Sequence, residues 1–317
     1  HILVLTGLSG EPAYAEQFHE WATTLIDAAI ERYEVPPEQV AYLAEKVELD
    51  PERIDGRSTK ENVEQVFADI AERAEPNDHV LVLLIGHGSH NSGESRFNLP
   101  GRDLTAGDYA VLLSRLNTQR VTFVNAATSS GGFIEALSGE GRTVMTATRS
   151  SGQWNETVFG GHFVAAFADG EEDSDQNKDG RVSMLEAFEY AVVQVARVYE
   201  SDGRLQTEHA LLDDNGDAKG TQTDWFRGLQ VTKKSAEEGL VPDGLRAHQV
   251  HFIPSEEERK LTPGERAKRN SLELEMARLR AKKSKFTEEV YYGHLEKLLI
   301  EMGRIYFPEG PSPTPDK

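Results

Sequence analysis

Short apolar runs alternate with amphipathic segments along the first half of the chain. Val80–Ile85 is an unbroken run of six branched apolar residues, which is too short for a free helix and predicts a strand buried on both faces. Ser58 and Glu61 have the spacing of a capping box and open a helical pattern that runs to about Glu75. Other strands are predicted at 2–6, 40–43 and 143–147, and from Val121 onward. This alternation predicts an α/β fold with a mostly parallel sheet and helices on both of its faces.

The last part of the chain has a helical pattern. Thr262 and Glu265 form a second capping-box pattern that opens a helix to about Ser284, and another helix begins at Thr287. We therefore expect a C-terminal helical hairpin. The predicted organisation is an α/β domain at 1–230, a linker at 231–255 with a short strand at 249–253, the hairpin at 256–307 and a disordered tail at 308–317.

Two turns with chemically useful side chains follow predicted neighbouring strands. His87 stands between two glycines directly after Val80–Ile85, and Ala126–Ser130 follows the strand that starts at Val121. Because the carboxyl ends of parallel strands meet at one edge of a sheet, we expect these turns to lie side by side. A histidine in such a turn is either a catalytic group or a polar turn residue, and the pattern alone leaves both interpretations open.

These turns resemble the caspase-like proteases and, among them, the legumain-like peptidases and their bacterial relatives. In that family one strand ends in a catalytic His-Gly, here His87-Gly88, and another ends in Ala-Cys-x-Ser-Gly, here Ala127 to Gly131. The resemblance covers roughly residues 1 to 230. It places Thr128 at the position of the nucleophilic cysteine, or Ala127 if the match is shifted by one residue. It also implies that Thr148 and Arg149 help to line the substrate cleft.

The sequence contains no cysteine, so neither a thiol nucleophile nor a disulfide is available. The resemblance therefore implies a non-catalytic pseudoprotease used for binding or assembly. The alternatives are a cysteine endopeptidase inactivated by substitution at Thr128 or Ala127, a hydrolase with a hydroxyl nucleophile, and an interaction protein that acts through the C-terminal hairpin. For Thr128, Ser129 and Ser130 themselves, the pattern favours capping of a helix that starts near Gly132.

Residues 175–186 have the spacing of an EF-hand calcium loop. The expected ligands are three side chains, a backbone carbonyl, a hydroxyl and a terminal glutamate: Asp175, Asn177, Asp179, Arg181 through its carbonyl, Ser183 and Glu186. We therefore predict a structural Ca²⁺ ion as the cofactor. The alternative is an acidic loop in which Ser183 and Glu186 only cap the following helix.

The chain is strongly acidic, with 34 basic and 54 acidic residues and a net charge of -20. This charge argues against a nucleic-acid partner, and a peptide or protein is the expected partner. The hairpin carries a basic cluster that could dock on the acidic body, contact an anionic partner or remain solvated: Arg278, Arg280, Lys282, Lys283 and Lys285. No apolar run has the length of a membrane span. A calcium loop without cysteines is compatible with a secreted or periplasmic bacterial protein.

Overall fold

The main element of the fold is a seven-stranded sheet, seen in a computed structural model that describes residues 1–168, 173–227, 230–231 and 241–307. The strands of the described residues are β1 (Ile2–Thr6), β2 (Val40–Ala44), β3 (Gly56–Arg57), β4 (His79–Ile85), β5 (Gly88–Asn91), β6 (Glu94–Phe97), β7 (Leu104–Thr105), β8 (Arg120–Asn125), β9 (Arg142–Thr146), β10 (Leu211–Asp213), β11 (Phe226–Arg227) and β12 (Gln230–Val231). The main sheet has the order β10-β9-β8-β4-β1-β2-β3.

Within the main sheet every neighbouring pair is parallel except β9 with β10. Strand β4 lies between β1 and β8, and its residues Val80–Ile85 are fully buried. Strands β5, β6 and β7 form a separate antiparallel sheet that begins at Gly88, directly after His87. The predictions of a mostly parallel sheet and of a central strand at Val80–Ile85 are confirmed.

Helices cover both faces of the sheet. The α-helices of the described residues are α1 (Pro12–Asp27), α2 (Lys60–Arg73), α3 (Ala106–Leu113), α4 (Gly132–Leu137), α5 (Phe159–Ala165), α6 (Met184–Ser201), α7 (Leu245–Gln249), α8 (Glu256–Arg259), α9 (Pro263–Ala281) and α10 (Glu288–Tyr306). Successive residues of β1 point to opposite faces, so Val4 packs with the side of α1, α5 and α6, and Leu5 packs with the side of α2, α3 and α4. The predicted coverage of both faces is confirmed.

The predicted cap of α2 is wrong by one residue. The capping side chain is Thr59, which accepts a hydrogen bond from the Asn62 N–H, and Ser58 lies outside the cap. Ser58 is fully buried, and its hydroxyl donates to the carbonyl oxygen of Thr6 at 2.7 Å. Because this contact joins two distant segments, spacing along the sequence could not predict it.

The predicted helical hairpin is present as α9 and α10. Thr262 and Glu265 form the expected capping box at the start of α9, which ends at Ala281, three residues before the predicted end. The small core between the two helices includes Leu272 and Ile305. The predicted tail at 308–317 lies outside the described residues.

The hairpin is joined to the α/β body by a buried ionic contact. Glu258 on α8 receives a 2.7 Å contact from the Arg181 guanidinium and pairs also with Arg269 on α9. Burial acts to raise the pKa of Glu258, but the Ser255 N–H and the two guanidinium groups outweigh it and hold the pKa at about 2. Removal of the carboxylate would leave two guanidinium groups without this partner.

The segment 241–255 does not behave as a free linker. It contains α7, and Ala247 is fully buried in the core on the α6 side of the sheet. Instead of the predicted strand at 249–253, the chain forms a single bridge between His251 and Ser183, because α7 extends through Gln249. The remainder of the predicted linker, 232–240, lies outside the described residues.

Candidate functional site

The two predicted turns meet at the carboxyl edge of β4 and β8, which are parallel neighbours. The hydroxyl of Thr128 donates to the carbonyl oxygen of Gly88 and accepts from the Gly88 N–H, both at 2.9 Å. Thr128 is only 4% exposed. A Cβ on Gly88 would overlap the carbonyl oxygen of Thr128, so the close approach of these backbones requires glycine. The hydroxyl of Thr128 therefore links the two turns and has no free donor.

His87 is directed toward helix α1. Its ring packs edge-on against Tyr14 at 5.0 Å and against Phe18 at 5.4 Å between ring centroids. Within the described residues no hydrogen bond joins the imidazole of His87 to a hydroxyl or to a carboxylate. A base that activates a hydroxyl must contact it and must itself be oriented by a third group. The geometry around His87 does not provide this arrangement.

Other hydroxyl groups form hydrogen bonds at this carboxyl edge of the sheet, which we call the carboxyl rim. Ser129 has a left-handed backbone, with φ of 55°, and its N–H donates to the carbonyl oxygen of Gln153 at 2.8 Å. The Ser130 hydroxyl contacts the Thr148 hydroxyl at 3.1 Å and accepts from the Thr148 N–H. The prediction that the hydroxyls at 128–130 cap the next helix is wrong, because the N-cap of α4 is Gly131 and it has no side-chain cap.

The two residues predicted to line the cleft have different environments. Thr148 is 1% exposed and its hydroxyl accepts from the Gly131 N–H, so its side chain belongs to the rim framework. Arg149 is exposed, and its N–H donates to the Gln153 side-chain oxygen at 2.8 Å. Of this pair, only Arg149 offers a charged group to a ligand.

A cavity of about 170 Å³ lies at the same edge of the sheet, beside the ends of β1 and β2. Its lining includes Gly7, Ser9, Phe18 and Glu45. Ser9 donates from both its N–H and its hydroxyl to the Glu45 carboxylate. Burial acts to raise the pKa of Glu45, but these Ser9 hydrogen bonds and nearby cations lower it below the ordinary value. Phe18 lines this cavity and also packs against the ring of His87. The sequence patterns did not predict the cavity.

The predicted calcium loop has the backbone turns that its spacing requires. Lys178 and Gly180 are left-handed, with φ of 61° and 81°. The Asp175 carboxylate accepts from the N–H groups of Asp179, at 3.2 Å, and Gly180, at 2.8 Å. The Asp179 carboxylate accepts in turn from the Arg181 N–H at 2.9 Å. The loop is thus curled around its own acidic side chains.

Glu186 closes the loop from the first turn of α6. Its side chain is fully buried and accepts from the N–H and hydroxyl of Ser183 and from the Asn177 N–H. Ser183 and Glu186 form a complete capping box, as the alternative interpretation requires. Among the described residues, no three acidic or histidine side chains cluster closely enough to hold a metal ion.

One atom beside the loop lacks a partner. Oε1 of Glu189 is buried and has no hydrogen bond within the described residues, while its other oxygen accepts from Gln176 at 2.8 Å. Burial raises the pKa of Glu189 to about 7. The Gln176 hydrogen bond acts to lower this pKa but does not outweigh burial, and the nearby Glu186 carboxyl raises it further. Carboxylate oxygens are the donors that a hard cation such as Ca²⁺ prefers, and Glu186 and Glu189 are two buried carboxyl groups at this loop.

The sequence patterns missed a group of arginines at the opposite, amino-terminal edge of the sheet. Arg120 begins β8, Arg246 lies in α7, and Arg266 and Arg269 lie in α9. Burial lowers the pKa of Arg120, and the other three guanidinium groups lower it further. The residues come from three separate segments, so neither spacing nor periodicity could bring them together.

Comparisons with known proteins add little to this description. No family model matches the chain, and no curated protein matches it. None of the helices in the described ranges is both long and apolar enough to cross a membrane. Among solved structures, the chain is similar to protein GSU0716 from Geobacter sulfurreducens, a structural genomics target. That similarity has 13% identity and a TM-score of 0.42, and it covers 67% of this chain and 92% of that one. A similarity of this size carries no functional argument.

Proposed function

We propose that this chain is a caspase-like, legumain-like peptidase homologue that binds a peptide or protein without cleaving it. The observation that carries the proposal is the pair of hydrogen bonds between the Thr128 hydroxyl and the backbone of Gly88. The hydroxyl donates to the Gly88 carbonyl oxygen and accepts from the Gly88 N–H. The His87 imidazole packs against aromatic rings and forms no hydrogen bond to a hydroxyl in the described ranges. The chain contains no cysteine, so no thiol is available as the nucleophile.

The partner binds at the carboxyl edge of the sheet in this proposal. The hydroxyl network of Ser130 and Thr148 gives the edge a fixed shape. The exposed guanidinium of Arg149 stands next to this network, and guanidinium groups recognise carboxylates. We therefore favour a peptide that carries an acidic side chain or a terminal carboxylate near Arg149.

The decisive experiment compares the unaltered chain with Thr128→Cys in a peptidase assay on a mixed peptide library. We expect no cleavage by the unaltered chain. If Thr128→Cys cleaves peptides and the unaltered chain does not, the site has the geometry of a peptidase and lacks only its nucleophile, as in a chain inactivated by substitution. Cleavage by the unaltered chain would refute the proposal, and a Thr128→Val variant would then show whether this hydroxyl is the nucleophile.

Binding is measured separately, with the same library immobilised and the unaltered chain in solution. We expect Arg149→Gln to weaken retention by about tenfold, which is typical for loss of one charge-assisted contact. Arg280→Gln, which removes an exposed arginine of α9, is the matched control and should bind as the unaltered chain does. Equal retention of both variants would exclude Arg149 from the binding edge.

We also propose that the loop at 175–186 holds a structural Ca²⁺ ion. The spacing is that of an EF-hand loop, and the ion would neutralise acidic side chains that accept from backbone N–H groups, from the Ser183 hydroxyl and, at Asp179, from the Arg181 guanidinium. Bound Ca²⁺ would supply charge neutralisation and a fixed loop, with no part in chemistry. The segment that follows the loop is α6, whose first turn contains Glu186.

The calcium proposal is tested with Glu186→Gln, because glutamine keeps the capping-box geometry and removes the charge. We expect Ca²⁺ to raise the melting temperature of the unaltered chain over a chelator control, and Glu186→Gln to lose that increase. Glu200→Gln, at an exposed position of the same helix, is the control. An identical melting temperature with Ca²⁺ and with chelator in the unaltered chain would leave the loop as a helix cap.

A second candidate function is interaction through the hairpin, since α10 exposes apolar side chains. Tyr292, Leu299 and Ile300 are 54%, 52% and 48% exposed. Self-association through this helix would cover them. Sedimentation of the full chain should then show a dimer that Leu299→Ser with Ile300→Ser disrupts, and a monomer at all concentrations would exclude this candidate.

A further inference from the structure

A cavity of about 240 Å³ lies at the amino-terminal edge of the main sheet, between the sheet and helix α9. Its wall includes the start of β8, a segment around Gly141, part of α7 and part of α9. We call it the arginine cavity, and its charged lining residues are Arg120, Glu140, Arg246 and Arg278. It is at the opposite end of the strands from His87 and away from the proposed peptide-binding edge.

The charge of the arginine cavity is opposite to that of the chain. Three guanidinium groups face one carboxylate there, in a protein whose net charge is -20. Within the described residues, the side chains of Arg120, Arg246 and Arg278 form no hydrogen bond or ion pair. Arg246 acts to lower the pKa of the buried Asp214 carboxylate but forms no ion pair with it in the described part of the chain, so the three guanidinium groups are available for an anionic ligand.

The neighbouring groups do not neutralise Arg120. Arg269 is paired with Glu258, and Arg266 donates to two backbone carbonyl oxygens. Burial lowers the pKa of Arg120, and Arg269, Arg246 and Arg266 act in the same direction. A half-buried charge without a counter-ion is unfavourable in the folded state, and a bound anion would remove this cost.

We propose that the arginine cavity binds the phosphoryl group of a small anionic ligand, with Arg120 and Arg246 as the principal contacts. The planar guanidinium group donates two parallel hydrogen bonds to a phosphoryl group. Its lining carries a net of two positive charges, and a phosphate monoester carries a charge of about -1.5 to -2 at pH 7. The exposed Arg278 lies on the α9 side of the cavity, where it reaches the ligand from solvent.

The proposal is tested by calorimetric titration of the full chain with inorganic phosphate and, separately, with glycerol 3-phosphate, at ionic strength matched with chloride. We expect Arg120→Gln to raise the Kd at least about tenfold, because it removes a charge-assisted contact. Arg280→Gln is the control, since Arg280 is an exposed arginine of the same helix outside the cavity lining. It should bind both probes as the unaltered chain does.

The two probes separate the sources of the phosphoryl group. Equal affinity identifies the free ion as ligand, and tighter binding of glycerol 3-phosphate identifies a phosphorylated small molecule; both results support the proposal. Absence of binding to both probes overturns it. So does an unchanged Kd in Arg120→Gln, which would mark any binding as an adventitious ion only.

Thermal melting guards against a variant that fails to fold. Because Arg120 has no counter-ion within the described residues, Arg120→Gln should melt without phosphate at the temperature of the unaltered chain or above it. Phosphate should then raise the melting temperature of the unaltered chain and of Arg280→Gln, but not that of Arg120→Gln. A clearly lower melting temperature of Arg120→Gln without phosphate would show that this charge has a partner in the protein, and would contradict the proposal.

Discussion

Replacement of Thr128 by valine isolates the role of its hydroxyl. Valine has nearly the same shape as threonine, so the change removes two 2.9 Å hydrogen bonds to Gly88 and little packing. The same two bonds leave no donor for catalysis. The stability of Thr128→Val therefore tests whether the hydroxyl is a link between the turns.

The size of the effect follows from burial. Thr128 is 4% exposed, and Gly88 is half-buried, so both backbone groups of Gly88 would lose their partner in a region with limited access to water. A buried donor or acceptor left without a partner costs about 1 to 3 kcal/mol. Because Gly88 keeps some access to water, we expect a total loss of about 2 to 4 kcal/mol in the free energy of unfolding.

Urea denaturation measures this loss, provided that the slope with denaturant stays the same in both proteins. Thr128→Ser is the matched control, since it keeps the hydroxyl and loses one methyl group, at a cost of about 1 kcal/mol. If valine and serine lower the free energy of unfolding equally, the hydroxyl does not join the two turns and the argument against a Thr128 nucleophile fails.

Three further predictions concern other parts of the fold. Burial raises the pKa of Glu208 to about 7, against two backbone N–H groups that lower it. The unfolded chain releases this proton near its ordinary pKa of 4.5, whereas the folded chain holds it until about pH 7. A stabilisation of about 3 kcal/mol that is fully present below pH 4.5 is therefore lost as pH rises to about 7, and Glu208→Gln should flatten the pH profile of the free energy of unfolding over that interval. Glu258→Gln should lower the free energy of unfolding by about 3 kcal/mol, against less than about 0.5 kcal/mol for the exposed control Glu257→Gln, and equal losses would contradict a linking role. Gly88→Ala should unfold at a lower urea concentration than the unaltered chain, because its Cβ overlaps the Thr128 carbonyl oxygen, and an unchanged midpoint would show that the turns are looser than described.

The general fold could be predicted because its signals are local. Val80–Ile85 is apolar without interruption, and such a run identifies a strand covered on both sides. The carboxyl ends of neighbouring parallel strands lie at the same edge of a sheet, so the turns that follow two such strands are close together. In the structure the Gly88 N–H donates to the Thr128 hydroxyl across these turns. The hairpin was equally local, since Thr262 and Glu265 cap their helix within one turn.

The chemistry of the site could not be predicted in the same way, because it depends on contacts between distant segments. The sequence offers hydroxyls at 128–130 but does not say which group each one meets. In the structure Thr128 meets Gly88, and Ser130 meets Thr148. Likewise, Arg120 is an ordinary residue before a strand until α9 places further arginines near it.

Residues at the two ends of β8 give independent tests of the proposed peptide-binding edge and of the proposed phosphoryl site. Arg120 stands at its first residue and Thr128 three residues after its last, so about eight residues, or roughly 25 Å of extended chain, separate them. Arg120 and Thr128 share no partner in the part of the chain that the structure describes, and effects at sites more than about 10 Å apart usually add within about 0.5 kcal/mol. The double variant Arg120→Gln with Thr128→Val should therefore lose phosphate binding as the first variant does and stability as the second does. A coupling in urea denaturation well above 0.5 kcal/mol would mean that the strand transmits strain between its ends, and the carboxyl rim and the arginine cavity would then have to be treated as one site.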